Sequence, residues 1–163
     1  MKNSRKVEER METLKGFRIV EYEPKLAEPI VLMWMQSKRE ALGEYNEPHG
    51  VDGFMDFLTN KLSKTHTIKV ALSQSTGDVV GFVAYKDNDL GQIYLAPAAQ
   101  GQGLGTALLE MAKEASPNHL LCYTFQKNIP AQKFYEKHGF KAIKYGTENE
   151  ENLPDILFEW KGA

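Results

Sequence analysis

The chain has one cysteine, Cys122, in 163 residues. A lone thiol cannot close an intrachain disulfide, which fits a reducing compartment and gives the cytoplasm as the expected location. Excess charge is also scarce. Twenty Lys and Arg against 22 Asp and Glu leave a net charge of −2, which argues against a general nucleic-acid binder. No apolar run approaches the roughly 18 residues of a membrane helix. The opening stretch from Met1 to Arg10 carries basic charge without an apolar core, so it does not read as a secretory signal. Internal repeats and low-complexity tracts are missing, and no metal site is expected. Hydrophobic residues make up 42% and charged residues 26%, ordinary for a globular chain long enough to bury a core. The expected organisation is a polar tail over residues 1–15 and a single domain over 16–163.

Along the chain, Phe17 to Glu21 reads as a first strand. Residues 28–42 have helical spacing through Ile30, Met33, Trp34 and Ala41, with Pro29 near the start and Gly43 as cap. A second helix is expected from about Asp52 to Lys64, with Phe54, Phe57, Leu58 and Leu62 on one face. Three strands follow in hairpin succession at 67–72, 79–85 and 90–95, separated by turn-forming Ser73-Gln-Ser-Thr-Gly-Asp78 and Lys86-Asp-Asn-Asp89. A helix over 103–115, with Leu104, Ala107, Leu108, Met111, Ala112 and Ala115 as its buried stripe, leads to a strand at 120–125. Strand, helix and strand at this spacing make a parallel crossover. Asn128 caps a further helix with Pro130 in its first turn, and Gly139 closes it. Lys141 to Tyr145 and Ile156 to Trp160 form a final antiparallel pair. The expected class is therefore a mixed α/β sheet, mostly antiparallel with one parallel crossover, flanked by helices.

The stretch from Ile93 to Leu109 carries the strongest chemical signal. Gly101, Gly103 and Gly105 alternate along a loop between a strand and a helix. Such a backbone can adopt positive φ, and the helix start adds unpaired N–H donors and a positive dipole end. Together they suit phosphate or diphosphate. A dinucleotide fingerprint fails, because G-x-G-x-x-G from Gly101 or from Gly103 ends on Thr106 or Leu108. A P-loop fails because no lysine follows Gly105. What fits is Gln100-x-x-Gly103-x-Gly105 after Leu95-Ala-Pro97.

This loop resembles the acetyl-CoA loop of the GNAT superfamily of N-acetyltransferases. Asn128-Ile-Pro-Ala131-Gln-Lys-Phe134-Tyr135-Glu-Lys-His-Gly139-Phe140 resembles the superfamily's second signature, at the usual separation. The element order matches as well, over about residues 17–160. The resemblance implies a GNAT-like fold and an acetyl-CoA-dependent N-acetyltransferase that transfers directly to a primary amine. The alternative is a non-catalytic acyl-CoA-binding sensor or scaffold.

It further implies roles for individual residues. The backbone of Gln100, Gly101, Gln102, Gly103, Leu104, Gly105 and Thr106 would hold the diphosphate. Ile93, Tyr94 and Leu95 would flank the pantetheine, with the Leu95 N–H facing the thioester oxygen. Asn128 would touch the pantetheine arm as well as cap its helix. Tyr135 would be the general acid for the departing sulfur, rather than only part of the stripe Ala131, Phe134, Tyr135 and His138. Cys122, mid-strand, reads as a small buried hydrophobe and not as a covalent acyl carrier. The amine's base is left open among Glu44, Glu47, Asp89, Glu148, Glu150, Glu151 and Asp155. The superfamily often places a glutamate on the strand before the loop, where this chain has Asp89 and Gln92. Glu44, Tyr45 and His49 are the acceptor-side candidates. The acceptor would be a small amine, an amino acid, or a peptide or protein amine, with neither nucleic acid nor membrane as partner. Pairing through sheet edges, common in the superfamily, admits a homodimer.

Overall fold

The computed structural model describes residues 14–162; Met1 to Thr13, most of the expected tail, and Ala163 lie outside the described residues. Among these residues seven strands form one sheet in the order β1-β2-β3-β4-β5-β7-β6. They are β1 (Phe17–Glu21), β2 (Thr67–Ser73), β3 (Val79–Lys86), β4 (Asp89–Leu95), β5 (His119–Phe125), β6 (Lys141–Gly146) and β7 (Asp155–Lys161). Neighbours are antiparallel except β4 and β5, which run parallel. The expected sheet, with its single parallel crossover, is the observed one.

The helices cover both faces. Helix α1 (Ala27–Leu42) and helix α2 (Val51–Phe57) lie on one side, joined to the sheet by a core of Ile30, Val31, Trp34, Phe54, Leu58, Val70 and Phe82. Helix α3 (Leu104–Ala115) and helix α4 (Ile129–Lys137) cover the other, where Leu104, Leu108, Leu109, Met111 and Tyr135 pack on Val83, Leu120, Cys122 and Phe158. No helix among the described residues is long and apolar enough to cross a membrane.

Two stripe residues depart from the sequence expectation. Phe57 is exposed. Helix α2 runs on into a π-helical turn over Leu58–Leu62. The wider turn keeps Leu58 and Leu62 on the core and leaves Phe57 at the helix edge. Ala115 is exposed because it ends α3, just before the break at Ser116.

Helix α4 ends as its sequence suggests. Gly139 has φ +89°, the Phe140 N–H donates to the Tyr135 carbonyl at 2.9 Å, and the Gly139 N–H donates to the Glu136 carbonyl at 3.1 Å. This is a Schellman closure, and it fixes Tyr135 on the buried side of the helix.

Candidate active site

The parallel pair is barely a pair. Asp89 opposite Leu121 is the one registered position between β4 and β5 among the described residues, supported by the Leu121 N–H donating to the Asn88 carbonyl at 2.9 Å. Beyond it the strands part. The bend comes from β4: Ala84 faces Gln92 and Tyr85 faces Leu90, so Gly91 is the extra residue of a bulge. A side chain at Gly91 would place its Cβ 2.8 Å from His66 Nε2. The bulge sits earlier in the strand than Ile93 to Leu95, which line the opening beyond it.

That opening belongs to a cleft of about 1240 Å³, larger than the usual volume of a small-ligand pocket. Its lining includes Ile93, Tyr94 and Leu95 from β4, Gln100, Gly101, Gly103, Gly105 and Thr106 from the loop and helix start, and Asn128 and Tyr135 from α4. The structure thus brings together most of the residues singled out in the sequence. Gln102 and Leu104 are outside the lining. The Gln102 amide turns back to the Ala98 carbonyl at 2.9 Å, and the Leu104 side chain is fully buried in the core.

The glycine loop has the backbone its composition predicts. Gly101 and Gly103 have φ of +76° and +85°, and a Cβ on Gly101 would meet nothing within 4 Å. Gly103 is the N-cap of α3 and offers no side-chain cap. The first helical bond runs from the Ala107 N–H to the Gly103 carbonyl, at 3.1 Å. The N–H groups of the first turn are therefore left without helical acceptors, beside an open surface. This is a fitting cradle for a diphosphate.

Leu95 is held from several sides. A Cβ on Gly81 or Gly105 would come within 2.7 Å or 3.3 Å of its side chain. Its carbonyl accepts from Ser37 Oγ of α1 at 2.8 Å. The next residue, Ala96, donates its N–H to the Val80 carbonyl of β3 at 2.8 Å. Alternation along a strand then turns the Leu95 N–H away from β3, toward the opening.

Tyr135 is buried against Phe134, Phe140 and Phe158, with ring centroids 5.6, 5.3 and 5.6 Å away. Burial pushes its phenol well above its ordinary range, and the adjacent Cys122 thiol and Tyr94 phenol push in the same direction. It remains a neutral O–H donor. Burial likewise pushes the Cys122 thiol up, which keeps it protonated, as expected of a packed thiol. Tyr94 faces Trp34 and Phe82, and burial raises its phenol to about 12, partly offset by the Trp34 indole.

The far end of the cleft is built from two loops, 43–50 and 147–154, that the sequence holds far apart. Lys38 of α1, 6% exposed, donates to Glu151 at 2.6 Å and pairs with Glu47 at 2.9 Å. Its ammonium lies over the rings of Phe54, Tyr45 and Phe125 at 5.4, 5.6 and 5.9 Å. His49 pairs with Glu150 at 2.7 Å, adding a second clasp between the loops. Burial raises the Glu47 carboxyl, but bonds from the Tyr45 hydroxyl and from Lys38 outweigh it and leave the group below its usual range. Tyr45 is pushed up by burial and by that same carboxylate. Of the acceptor-side candidates, His49 lines the cleft and Tyr45 stands behind Glu47, while the Glu44 side chain takes no place in the lining.

Of the carboxylates considered as base, Glu47, Glu150, Glu151 and Asp89 line the cleft. Asp89 is bound by His66 Nε2 at 2.8 Å at the closed end of the opening. Asp155, at the start of β7, is bound at 3.0 Å by the amide of Asn149 in the preceding loop. Lys38 lines the cleft without any motif that marks it, and its partner Glu151 is 113 positions away. Trp34 and Phe57, expected only as helix-face residues, line it as well, and His66 reaches it only through Asp89.

Residues 64–142 match the family profile described as Acetyltransferase (GNAT) domain. Over 88 residues the chain is 32% identical to the peptidyl-lysine N-acetyltransferase YiaC of Escherichia coli (strain K12), a stretch covering 53% of this chain and 60% of that relative. The chain thus spans about three-fifths of the length of that curated relative. Among solved structures, the apo form of YjaB from Escherichia coli matches with a TM-score of 0.71 at 22% identity, covering 90% of this chain and 99% of that one. PaiA N-acetyltransferase from Thermoplasma acidophilum, solved in complex with coenzyme A, gives 0.68 at 18% identity, with 89% and 98% covered. At such identities these two likenesses speak for the fold. The profile match spans the glycine loop and the crossover over just under half of the chain, and the fold is shared with those solved structures along most of its length, so the chain is similar to the GNAT acetyltransferases.

Proposed function

We propose that this protein is a cytoplasmic N-acetyltransferase that uses acetyl-CoA and transfers directly to a primary amine. The observation that carries the reading is the convergence, on one cleft, of the glycine cradle, the inward-turned Leu95 N–H and the neutral Tyr135 phenol. Acetyl-CoA, when bound, supplies an activated acetyl thioester. The backbone from Gln100 to Thr106 holds the diphosphate, and Ile93, Tyr94 and Asn128 flank the pantetheine arm. The Leu95 N–H donates to the oxygen on which negative charge develops. The Tyr135 hydroxyl gives its proton to the departing sulfur. Glu47 and Glu151 face the acceptor end, where an amine must shed a proton before it attacks. A lysine-like amine at neutral pH pays about 4–5 kcal/mol for that deprotonation, so a carboxylate or a water chain leading to one is needed there. Small amines, amino acids and peptide or protein amines all meet these demands. The domain over 16–163 would act alone or as a homodimer, without nucleic acid or membrane.

Thermal unfolding with acetyl-CoA, with NAD as control, tests the cofactor. At about 100 times its dissociation constant the ligand adds about 2.7 kcal/mol, or roughly 5–11 °C for a domain of this size. No shift removes the reading. Tyr135→Phe then separates an enzyme from an acyl-CoA sensor. It should keep the thermal shift and lose about 10²–10⁴-fold in turnover. Unchanged turnover refutes Tyr135 as the acid.

A further inference from the structure

Lys38 is a primary alkylammonium lodged in the lining of the cleft. The adjacent residue, Ser37, is bonded to the Leu95 carbonyl, which ties this part of α1 to the strand lining the opening. Around its ammonium are two carboxylates and three aromatic faces, of which Glu47, Glu151, Phe54 and Phe125 also line the cleft. Carboxylates together with ring faces are the surroundings that select an ammonium. The seat also holds one cation against two carboxylates, so it favours positive charge beyond what Lys38 supplies. A clasp meant only to join two loops would not need to sit in the wall of the cavity, nor to carry an unbalanced carboxylate there.

We propose that this seat is the docking site for the acceptor's amino group, held by Lys38 in the resting protein and yielded to a substrate of the same chemistry. Lys38 itself shows what fits: a flexible unbranched chain ending in a primary ammonium, such as a lysine side chain or a simple alkylamine. One ammonium replaces another, so the charge of the seat is unchanged by the exchange and the occupant is set by concentration and by contacts to the rest of the acceptor. The freed Lys38 side chain is long enough to reach the solvent of the cleft. The inference rests on the acetyltransferase reading for the word acceptor, but the seat itself can be tested apart from it.

The probe is n-butylamine, with n-butanol as the uncharged control. In wild-type protein carrying 13C-labelled lysine, the Lys38 methylene signals next to the ammonium are displaced by the surrounding rings. Titration with n-butylammonium should move them toward the position of a free lysine, and n-butanol should not. Signals that stay in place at saturating amine overturn the proposal. Lys38→Ala, which leaves the seat vacant, should lower KM for n-butylamine at least tenfold and raise the thermal shift produced by that amine. An unchanged or higher KM, with the acetyl-CoA shift intact, makes Lys38 a loop clasp only. If acetyl-CoA gives no shift in wild type, the acetyltransferase reading fails, and the lysine titration still decides the seat. The same titration decides it if Lys38→Ala does not fold.

Discussion

The Ala131 N–H donates to Asn128 Oδ1 at 3.2 Å, so the signature asparagine is the working N-cap of α4. Asn128→Ala should cost about 1 kcal/mol, a fall in Tm of roughly 2–4 °C. With its Oδ1 committed to the helix, the contact proposed between Asn128 and the cofactor would run through the main chain. Acetyl-CoA affinity should then stay within about threefold, under about 0.7 kcal/mol. Calorimetric titration of the variant checks this. A larger loss would mean that the side-chain amide also reaches the pantetheine arm.

Gly103 is a different case, because space is not its constraint. A Cβ there would approach only Leu14 Cδ1, at 3.9 Å, yet its φ is +85°. Gly103→Ala should therefore cost about 1–2 kcal/mol through the backbone alone. It should also weaken acetyl-CoA binding, because the strained residue would turn the helix-start N–H groups away from the diphosphate. Unfolding with and without the cofactor separates the two effects: the shift produced by acetyl-CoA should shrink by more than the loss of basal stability explains.

His138 links α4 to the start of α3, with its Nε2 3.2 Å from Thr106 Oγ1. Burial lowers its proton affinity, and Lys113 and Lys137 lower it further. The folded value thus lies below the unfolded one of about 6.5. Its contribution to stability is complete above that unfolded value and is lost as pH falls below it toward the folded value. Urea unfolding across the mildly acidic range should show this loss, and His138→Gln should flatten the curve. An unaltered slope in the variant would assign the pH dependence elsewhere.

The Cys122 thiol should be inert in the native protein. It is 2% exposed, and burial pushes its pKa well above that of a free thiol, so little thiolate forms. A chromogenic disulfide reagent should react slowly in buffer and at once in urea. Rapid native reaction, or an acetyl group trapped on Cys122 during turnover, would reopen a covalent route.

The parts of this molecule that were legible in the sequence are those set by local rules. The glycine loop, the Asn128 cap and the Gly139 closure are short-range backbone chemistry, and each stands where spacing put it. The sheet followed from alternation and turn residues. Long-range pairing was not legible. Nothing near Lys38 announces Glu151, and nothing near His66 announces Asp89, because only the folded sheet brings those loops together. Phe57 was misplaced for a related reason: helical periodicity assumes a uniform turn, and the π-turn after it is not one. Strand β6 stands where the final antiparallel pair was expected, although Lys141 to Tyr145 are exposed throughout and show no alternation of burial.

The single registered pair between β4 and β5 has a consequence for how the domain breathes. Past Asp89 and Leu121, each strand presents an edge to the other without a ladder across it. The sheet is thus two smaller sheets, β1 to β4 and β5 to β7, sharing one narrow bridge. Amide hydrogens along those two facing edges should exchange quickly in the free protein. A long, thin ligand laid between them would offer hydrogen-bond partners to both sides, in effect an extra strand that the chain does not encode. Protection of these amides should then appear only with ligand, and the two halves should begin to open as one unit.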